Sequence, residues 1–367
     1  AALIANVNKG SSLANKNFVQ NGSFQVWQRA TAATAQADGE YKTADRWFGW
    51  VSGGGAYTTE KSTGHLADTG HENALKVAVT TADTSIASGD YYAITHRIEA
   101  QNLQSLQYGS ANAKPVTLSF WVKATKTGIN TLSLTKDDST AIRMVKEFTI
   151  NSSNTWEYKT MTFTPDSSIK TAASAIANDN GRGFQVNWVL SYGSNYNGTA
   201  NAWTTSGHYT TSNGVNNMDS TSNTFYLTGV QLEIGEKATE FEHEPYETTL
   251  AKCHRYLEPY IISGSSAVGN SYATNQFVIP FFWSVTKRDT PTFTFPTVGT
   301  SSGNLGVTTN SGAYPSSHGS VMRSINHTNN WARLYNESGD GYAGFTDDHL
   351  CMLYSNGTST IKIESEL

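Results

Sequence analysis

Side chains that alternate between apolar and polar over four or more residues suit a strand with one buried face, because successive residues point to opposite sides of a sheet. Val116, Leu118, Phe120 and Val122 share one phase, with Thr117, Ser119 and Lys123 between them. Leu132 and Leu134 continue the pattern, and Phe184, Val186, Trp188 and Leu190 repeat it. Between Phe225 and Ile234 the apolar phase changes at Gly229, which predicts a bulge there. Clusters of Gly, Asn, Asp and Ser separate these segments, and Asn21-Gly22 is a turn signal. With only 15% charged residues and 11% aromatic ones, little competes with strands. The pattern predicts an all-β chain: an N-terminal antiparallel β-sandwich or jelly roll, a short connector helix and a smaller C-terminal β-sandwich.

One segment departs from period two. Tyr246, Leu250, Cys253 and Leu257 are spaced four, three and four apart, which places them on one face of a helix. Pro245 suits its first turn and Pro259 its end. The expected organisation is an arm over residues 1–15, a jelly roll over 16–245, the connector helix over 246–258 and a small β domain over 259–367. Beyond the helix, Phe277, Ile279 and Phe281, then Thr292 to Phe295, then Val321 to Ile325, then Ile361 and Ile363 return to strand spacing.

A net charge of −5 gives no electrostatic reason to expect nucleic acid. No apolar run reaches the roughly 20 residues of a membrane-spanning helix, so membrane insertion is not expected. Cys253 and Cys351 have no partners at metal-ligand spacing, and two buried thiols are expected. His65 and His71 lack a third ligand, and no nucleophile elbow or phosphate loop is found. The acids Glu233, Glu236, Glu240, Glu242, Glu244 and Glu247 follow one another along a strand exit and a helix start, so a solvated face is expected rather than a catalytic pair. No catalytic residue and no metal ligand is assigned.

Several stretches carry a resemblance. Asn21-Gly22-Ser23-Phe24-Gln25-Val26-Trp27-Gln28-Arg29 is followed by Ala44-Asp45-Arg46-Trp47, and later by Phe120-Trp121-Val122-Lys123-Ala124. The most specific run is Phe225 through Gly235, leading into Ala238-Thr239-Glu240-Phe241-Glu242-His243-Glu244-Pro245-Tyr246 and Cys253-His254-Arg255-Tyr256. Together they resemble phage tail-fibre and virion-associated proteins with a jelly roll similar to carbohydrate-binding modules. The segment from Val285 to Thr292 is similar to the start of a small C-terminal domain of such proteins. The resemblance implies a non-enzymatic virion protein, a tail fibre or similar, facing the host-cell exterior. It also implies host-surface glycan and other virion proteins as partners and a homotrimeric state. Calcium-binding relatives carry acids where this chain has Thr228-Gly229, so no cofactor is expected and a structural calcium is left open.

Sugar recognition needs flat apolar rings and flanking amides or hydroxyls. Tyr192, Tyr196, Trp203 and Tyr209, with Asn195 and Asn201 among Gly and Ser, form the candidate ligand site. Trp27, Trp47, Phe120 and Trp188 lie in strand-like text and are expected to be core, whereas Trp121 opposes the phase of Phe120 and faces solvent, a partner sheet or a ligand groove. Two other functions fit the same text: a polysaccharide depolymerase, and a purely structural capsid-decorating or head-fibre protein.

Overall fold

The computed structural model describes residues 15–66, 69–298, 304–309, 322–325, 328–337, 340, 342, 345 and 350–367. The expected arm falls almost wholly outside them, as do Val321 and the side chain of His65. The chain divides into two compact units, residues 1–249 together with Leu367, and residues 250–366.

In the first unit the alternating segments become strands of two six-stranded sheets. Sheet A takes β1 (Thr34–Ala35), β3 (Ala56–Leu66), β4 (His71–Thr81), β12 (Thr224–Ile234), β6 (Val116–Ala124) and β9 (Glu157–Phe163), in the order β1-β3-β4-β12-β6-β9. Sheet B takes β11 (Trp203–Thr204), β8 (Ile142–Ile150), β7 (Gly128–Lys136), β10 (Arg182–Tyr192), β5 (Tyr91–Glu99) and β2 (Trp47–Ser52), in the order β11-β8-β7-β10-β5-β2. The strand pairs of both sheets are antiparallel, and the chain crosses repeatedly between the sheets, as an all-β sandwich requires.

The core lies between the inward faces, and the predicted phase decides who enters it. Val116, Leu118, Phe120 and Val122 of β6 are fully buried, as are Phe184, Val186 and Trp188 of β10. The Trp188 ring meets Phe120 from sheet A at 5.7 Å and Trp47 at 5.4 Å. Trp27 packs against this core from a half-buried position. The predicted bulge is present: the pairing of β12 with β6 shifts between Thr228 and Gln231, and Gly229 has φ of 58°. Thr117 and Ser119, on the opposite phase, are also buried, because the segment after β12 folds over that end of the sheet; Thr117 Oγ1 donates to the Gly235 carbonyl at 2.8 Å.

His96 is an unusual member of this interior. Its ring packs on Trp47 at 4.9 Å and its Nε2 accepts from the Gln20 amide at 3.3 Å, which leaves the proton on a buried Nδ1 with no hydrogen-bond partner. Burial, then the Arg46 guanidinium, holds its pKa well below the ordinary imidazole value. The unfolded chain takes up this proton near pH 6.5 and the folded chain does not. The stabilisation is therefore complete above about pH 6.5 and is lost as the pH falls below it. Urea midpoints are expected to fall between about pH 7 and about pH 5, and to fall less in His96→Gln; an equal fall in both proteins would remove His96 as the cause.

The second unit contains a sheet in the order β15-β19-β13-β14-β18-β17, with β16 (Leu305–Thr309) also on β19. Its long members are β13 (Leu257–Ala273) and β19 (Leu350–Glu364), joined by β14 (Gln276–Phe282), β15 (Thr292–Thr294), β17 (Arg323–Ile325) and β18 (Trp331–Tyr335). The expected strand residues Phe277, Ile279, Phe281, Ile361 and Ile363 are all buried in its core. Register shifts at Ser263/Gly264 and Ser265/Val268 mark irregularities where one sheet can bend around that core.

The connector helix α1 covers Tyr246–His254 and is shorter than the expected 246–258. Leu257 fits the helical stripe, but it opens β13 instead, pairing with Glu364. Lys287 replaces the missing turn as the end of the helix: its Nζ donates to the His254 carbonyl and to Glu258 Oε2, the latter at 2.6 Å. Arg288 then binds the Ser365 and Glu366 carbonyls, so the Val285–Thr292 motif ties helix end, β13 and C-terminus together within this unit. Cys253 and Cys351 are both buried thiols, and burial pushes Cys351 up to about 12.

Candidate functional site

Sheet B presents its second phase outward. Across β2, β5 and β10 the outward rows include Trp50, Ala93 and Val189, then Phe48, Thr95 and Asn187. A bulge between Val189 and Ser191 resets the phase, so that Tyr192 pairs with Tyr91 at the strand end. After β10 the chain makes a short turn at Ser194–Tyr196 and runs beside β8. It then returns across the sheet face: the Thr210 hydroxyl bonds that of Thr131 at 2.8 Å, and the Arg143 guanidinium lies 4.7 Å from the centre of the Tyr209 ring. The two arms of this excursion are stitched by backbone bonds from Tyr209 and Thr210 to the Tyr196 carbonyl and from Gly198 to the Thr210 carbonyl.

The result is a bowl of about 220 Å³ lined by Trp50, Tyr91, Gln185, Tyr192, Tyr196 and Tyr209. Ring centres stand 5.2 Å apart for Tyr192 and Tyr196, 5.9 Å for Tyr91 and Tyr196, 6.2 Å for Tyr196 and Tyr209, and 6.3 Å for Trp50 and Tyr91. Steep interplanar angles make the cluster a curved wall rather than a stack. The polar groups are placed around it. Tyr91 donates to Asp38 Oδ2 at 3.2 Å, Tyr196 donates to the Gly89 carbonyl at 3.2 Å, and the Gln185 amide oxygen accepts from Arg97 Nε at 3.0 Å. Burial raises the pKa of Tyr192 well above 10, with further increments from Tyr209, Tyr196 and Tyr91. Burial and Asp38 raise that of Tyr91. These phenols stay protonated at any physiological pH, the Tyr91 O–H remaining on Asp38.

Glycine makes the excursion possible. A Cβ on Gly193 would lie 2.0 Å from the Ala87 carbonyl oxygen and 2.5 Å from backbone atoms of Ser88, so only glycine lets the chain leave β10 this close to its neighbour.

Three of the six residues expected from the sequence line the bowl: Tyr192, Tyr196 and Tyr209. Trp203 does not, and its placement corrects the expectation. It sits in β11, pairs with Met144, is only 8% exposed, and its indole donates to the Thr164 carbonyl at 2.8 Å. Asn201 is exposed beside β8, where its side chain accepts from Lys146 Nζ at 2.8 Å. Asn195 is an exposed turn residue whose backbone amide donates to the Ser88 carbonyl at 3.0 Å. Neither asparagine lines the bowl. Trp50, Tyr91 and Gln185, which do, were not singled out by sequence reasoning.

The acidic run is also resolved. Glu233 is not solvated: it is buried and accepts from the Thr239 amide at 2.8 Å, from Thr239 Oγ1 at 2.7 Å and from Gln231 Nε2 at 2.9 Å. Glu242 accepts from the Asn17 amide at 2.9 Å. These carboxylates fasten the segment after β12. At the Asn21-Gly22 turn the Asn21 side chain is engaged with Val26 and Asp45. Among the described residues no three His, Cys, Asp or Glu side chains are grouped to hold a metal.

No family model matches the chain. No curated protein matches it either. Solved structures do share parts of its outline. A chain described as a sugar-binding protein from Bacteroides thetaiotaomicron is 11% identical over 60% of this chain and all of its own, with a TM-score of 0.34. The family 11 carbohydrate-binding module of a Clostridium thermocellum cellulase is 12% identical over 57% of this chain and 99% of its own, with a TM-score of 0.30. An enzymatically active tailspike domain of Bacteriophage CBA120 is 12% identical over 60% of this chain and 22% of its own, also at 0.30. Similarity this loose identifies neither ligand nor activity, and function is argued from the bowl itself. No helix among the described residues is long and apolar enough to cross a membrane.

Proposed function

We propose that the chain is a non-enzymatic carbohydrate-binding protein that holds a sugar ring in the bowl on the outer face of sheet B. The observation that carries this is the convergence of Trp50, Tyr91, Tyr192, Tyr196 and Tyr209, from three strands and a returning loop, into one open concavity. Aromatic faces that remain accessible beside phenol and amide donors are what a pyranose offers and needs in return: an apolar face of C–H groups and a rim of hydroxyls. The volume is below the roughly 300–1,000 Å³ of a drug-sized ligand site, so it suits a single ring at the end or in the middle of a longer chain. Hydrolysis of a glycosidic bond by the usual route needs two facing carboxyl groups. The bowl lining has none, and Asp38 alone stands behind Tyr91.

The sequence motifs favour a place for this module on a phage particle, as a tail fibre or similar protein facing the host exterior. Host-surface glycan would then be the ligand, and other virion proteins and copies of itself in a trimer the assembly partners. A single-ring site binds weakly, and several copies would supply avidity. Titration calorimetry with soluble tetrasaccharides of glucose, galactose, xylose, mannose and N-acetylglucosamine, with a reducing-end assay on the same mixtures, tests the function. Heat of binding without new reducing ends is expected. New reducing ends would replace binding by depolymerisation, and silence from every sugar would favour a purely structural role.

A further inference from the structure

Sheet A carries a second cleft on its own outer face. It is built around Trp121, the one β6 aromatic whose phase opposes the core. Trp121 pairs across the ladder with Tyr158 of β9 on one side and Thr228 of β12 on the other. The Trp121 and Tyr158 rings stand 5.3 Å apart at 49°, and Tyr158 is 43% exposed.

The bulge at Gly229 makes the floor. A Cβ there would lie 2.4 Å from His71 Nε2 and 3.1 Å from Trp121 Cδ1, so the missing side chain lets the imidazole lie against β12 beside the indole. The far wall is the segment after β12, held by Glu233 through Thr239 and by Gln231, whose Oε1 accepts from the Glu242 amide at 2.8 Å. From this wall Phe241 meets the His71 ring edge-on at 4.7 Å and His243 stacks on it at 5.4 Å. The cleft holds about 610 Å³, with Ser119 and Thr239 adding hydroxyls to the lining. That volume lies within the range of small-molecule sites.

His71 points to a ligand. It is only 7% exposed and lines the cleft beside Phe241 and His243. Burial, then His243, lowers its pKa to about 4, so at neutral pH it is an uncharged imidazole able to donate from one nitrogen and accept at the other. A ligand hydroxyl that reached this ring would make a hydrogen bond sheltered from bulk water.

We propose that this cleft is a second saccharide subsite, in which Trp121 and Tyr158 stack on a sugar ring and His71 hydrogen-bonds one of its hydroxyls. The subsite takes only the class of ligand from the proposed function and shares no residue with the bowl. Two sugar sites on opposite sheets would let one copy engage two glycan branches and raise avidity without new contacts.

Fluorine NMR of the full chain labelled with fluorotryptophan separates the sites, with Trp50 and Trp121 assigned from their phenylalanine variants. The probes are the same soluble tetrasaccharides. The Trp121 resonance is expected to shift on titration and to keep shifting in Trp50→Ala. The dissociation constant read there is expected to rise about tenfold in Tyr158→Ala, an exposed position that leaves the core intact, and likewise in His71→Gln. A Trp50 response with Trp121 silent overturns the subsite and leaves the bowl standing. A Trp121 response with Trp50 silent supports the subsite and removes the bowl. Silence at both overturns both.

Discussion

Trp50→Ala is expected to weaken saccharide binding by about thirtyfold or more while the protein stays folded. An aromatic anchor at the centre of a small site is commonly worth 2 kcal/mol or more, and about 1.4 kcal/mol is a factor of ten in affinity. Trp50 lines the bowl, half-buried, with the Arg97 guanidinium 5.6 Å from its ring and Phe48 edge-on at 5.3 Å. It lies on the outward phase of β2, so truncation leaves the contact of Trp47 with Trp188 beneath untouched. Isothermal titration alongside a melting curve checks both halves. Unchanged affinity would remove Trp50 from the site, and a large fall in melting temperature would make it a structural residue.

Trp188→Ala is expected to cost about 3–5 kcal/mol of folding stability, the range for emptying a large aromatic from a packed core. Natural domains hold only about 5–15 kcal/mol in all, so the first unit would be close to unfolding. Among the described residues Trp188 is the largest fully buried side chain, and it joins the sheets through Phe120 and Trp47. Its indole Nε1 has no hydrogen-bond partner there. Trp188→Phe therefore loses packing volume but also removes a buried donor left unmade, which itself costs about 1–3 kcal/mol. The phenylalanine variant is expected to be much the milder of the two. Urea denaturation orders them; equal losses would mean that the ring phenylalanine retains restores none of the packing.

The core was legible because period two admits one solution for each strand. Phe120, Val122, Val186 and Trp188 had to share a side, and they do. The Gly229 bulge was legible as a change of phase. The end of α1 was not, since Leu257 satisfies both a helical stripe and a strand, and pairing with β19 wins. At the site, Tyr192, Tyr196 and Tyr209 stood out as aromatics in loop text. Trp50 did not, because Trp47-Phe48-Gly49-Trp50 is aromatic on both phases and parity cannot tell core from surface. Gln185 was the polar member of a strand alternation, and Tyr91 half of a Tyr-Tyr pair; nothing local joins them. Trp203 looked exposed because its strand is two residues long and its partner β8 lies some sixty residues earlier. Sites assembled from distant strands leave little local signal, whereas a buried face leaves one at every second residue.

A crystal structure of the protein soaked with a tetrasaccharide that binds in solution is the most direct measurement. A sugar ring is expected in the bowl, within about 4–4.5 Å of the Trp50 and Tyr196 rings, with hydroxyls bonded to phenol or amide groups of the lining. Density for the sugar away from both outer sheet faces, with the bowl empty, would contradict carbohydrate binding at this site.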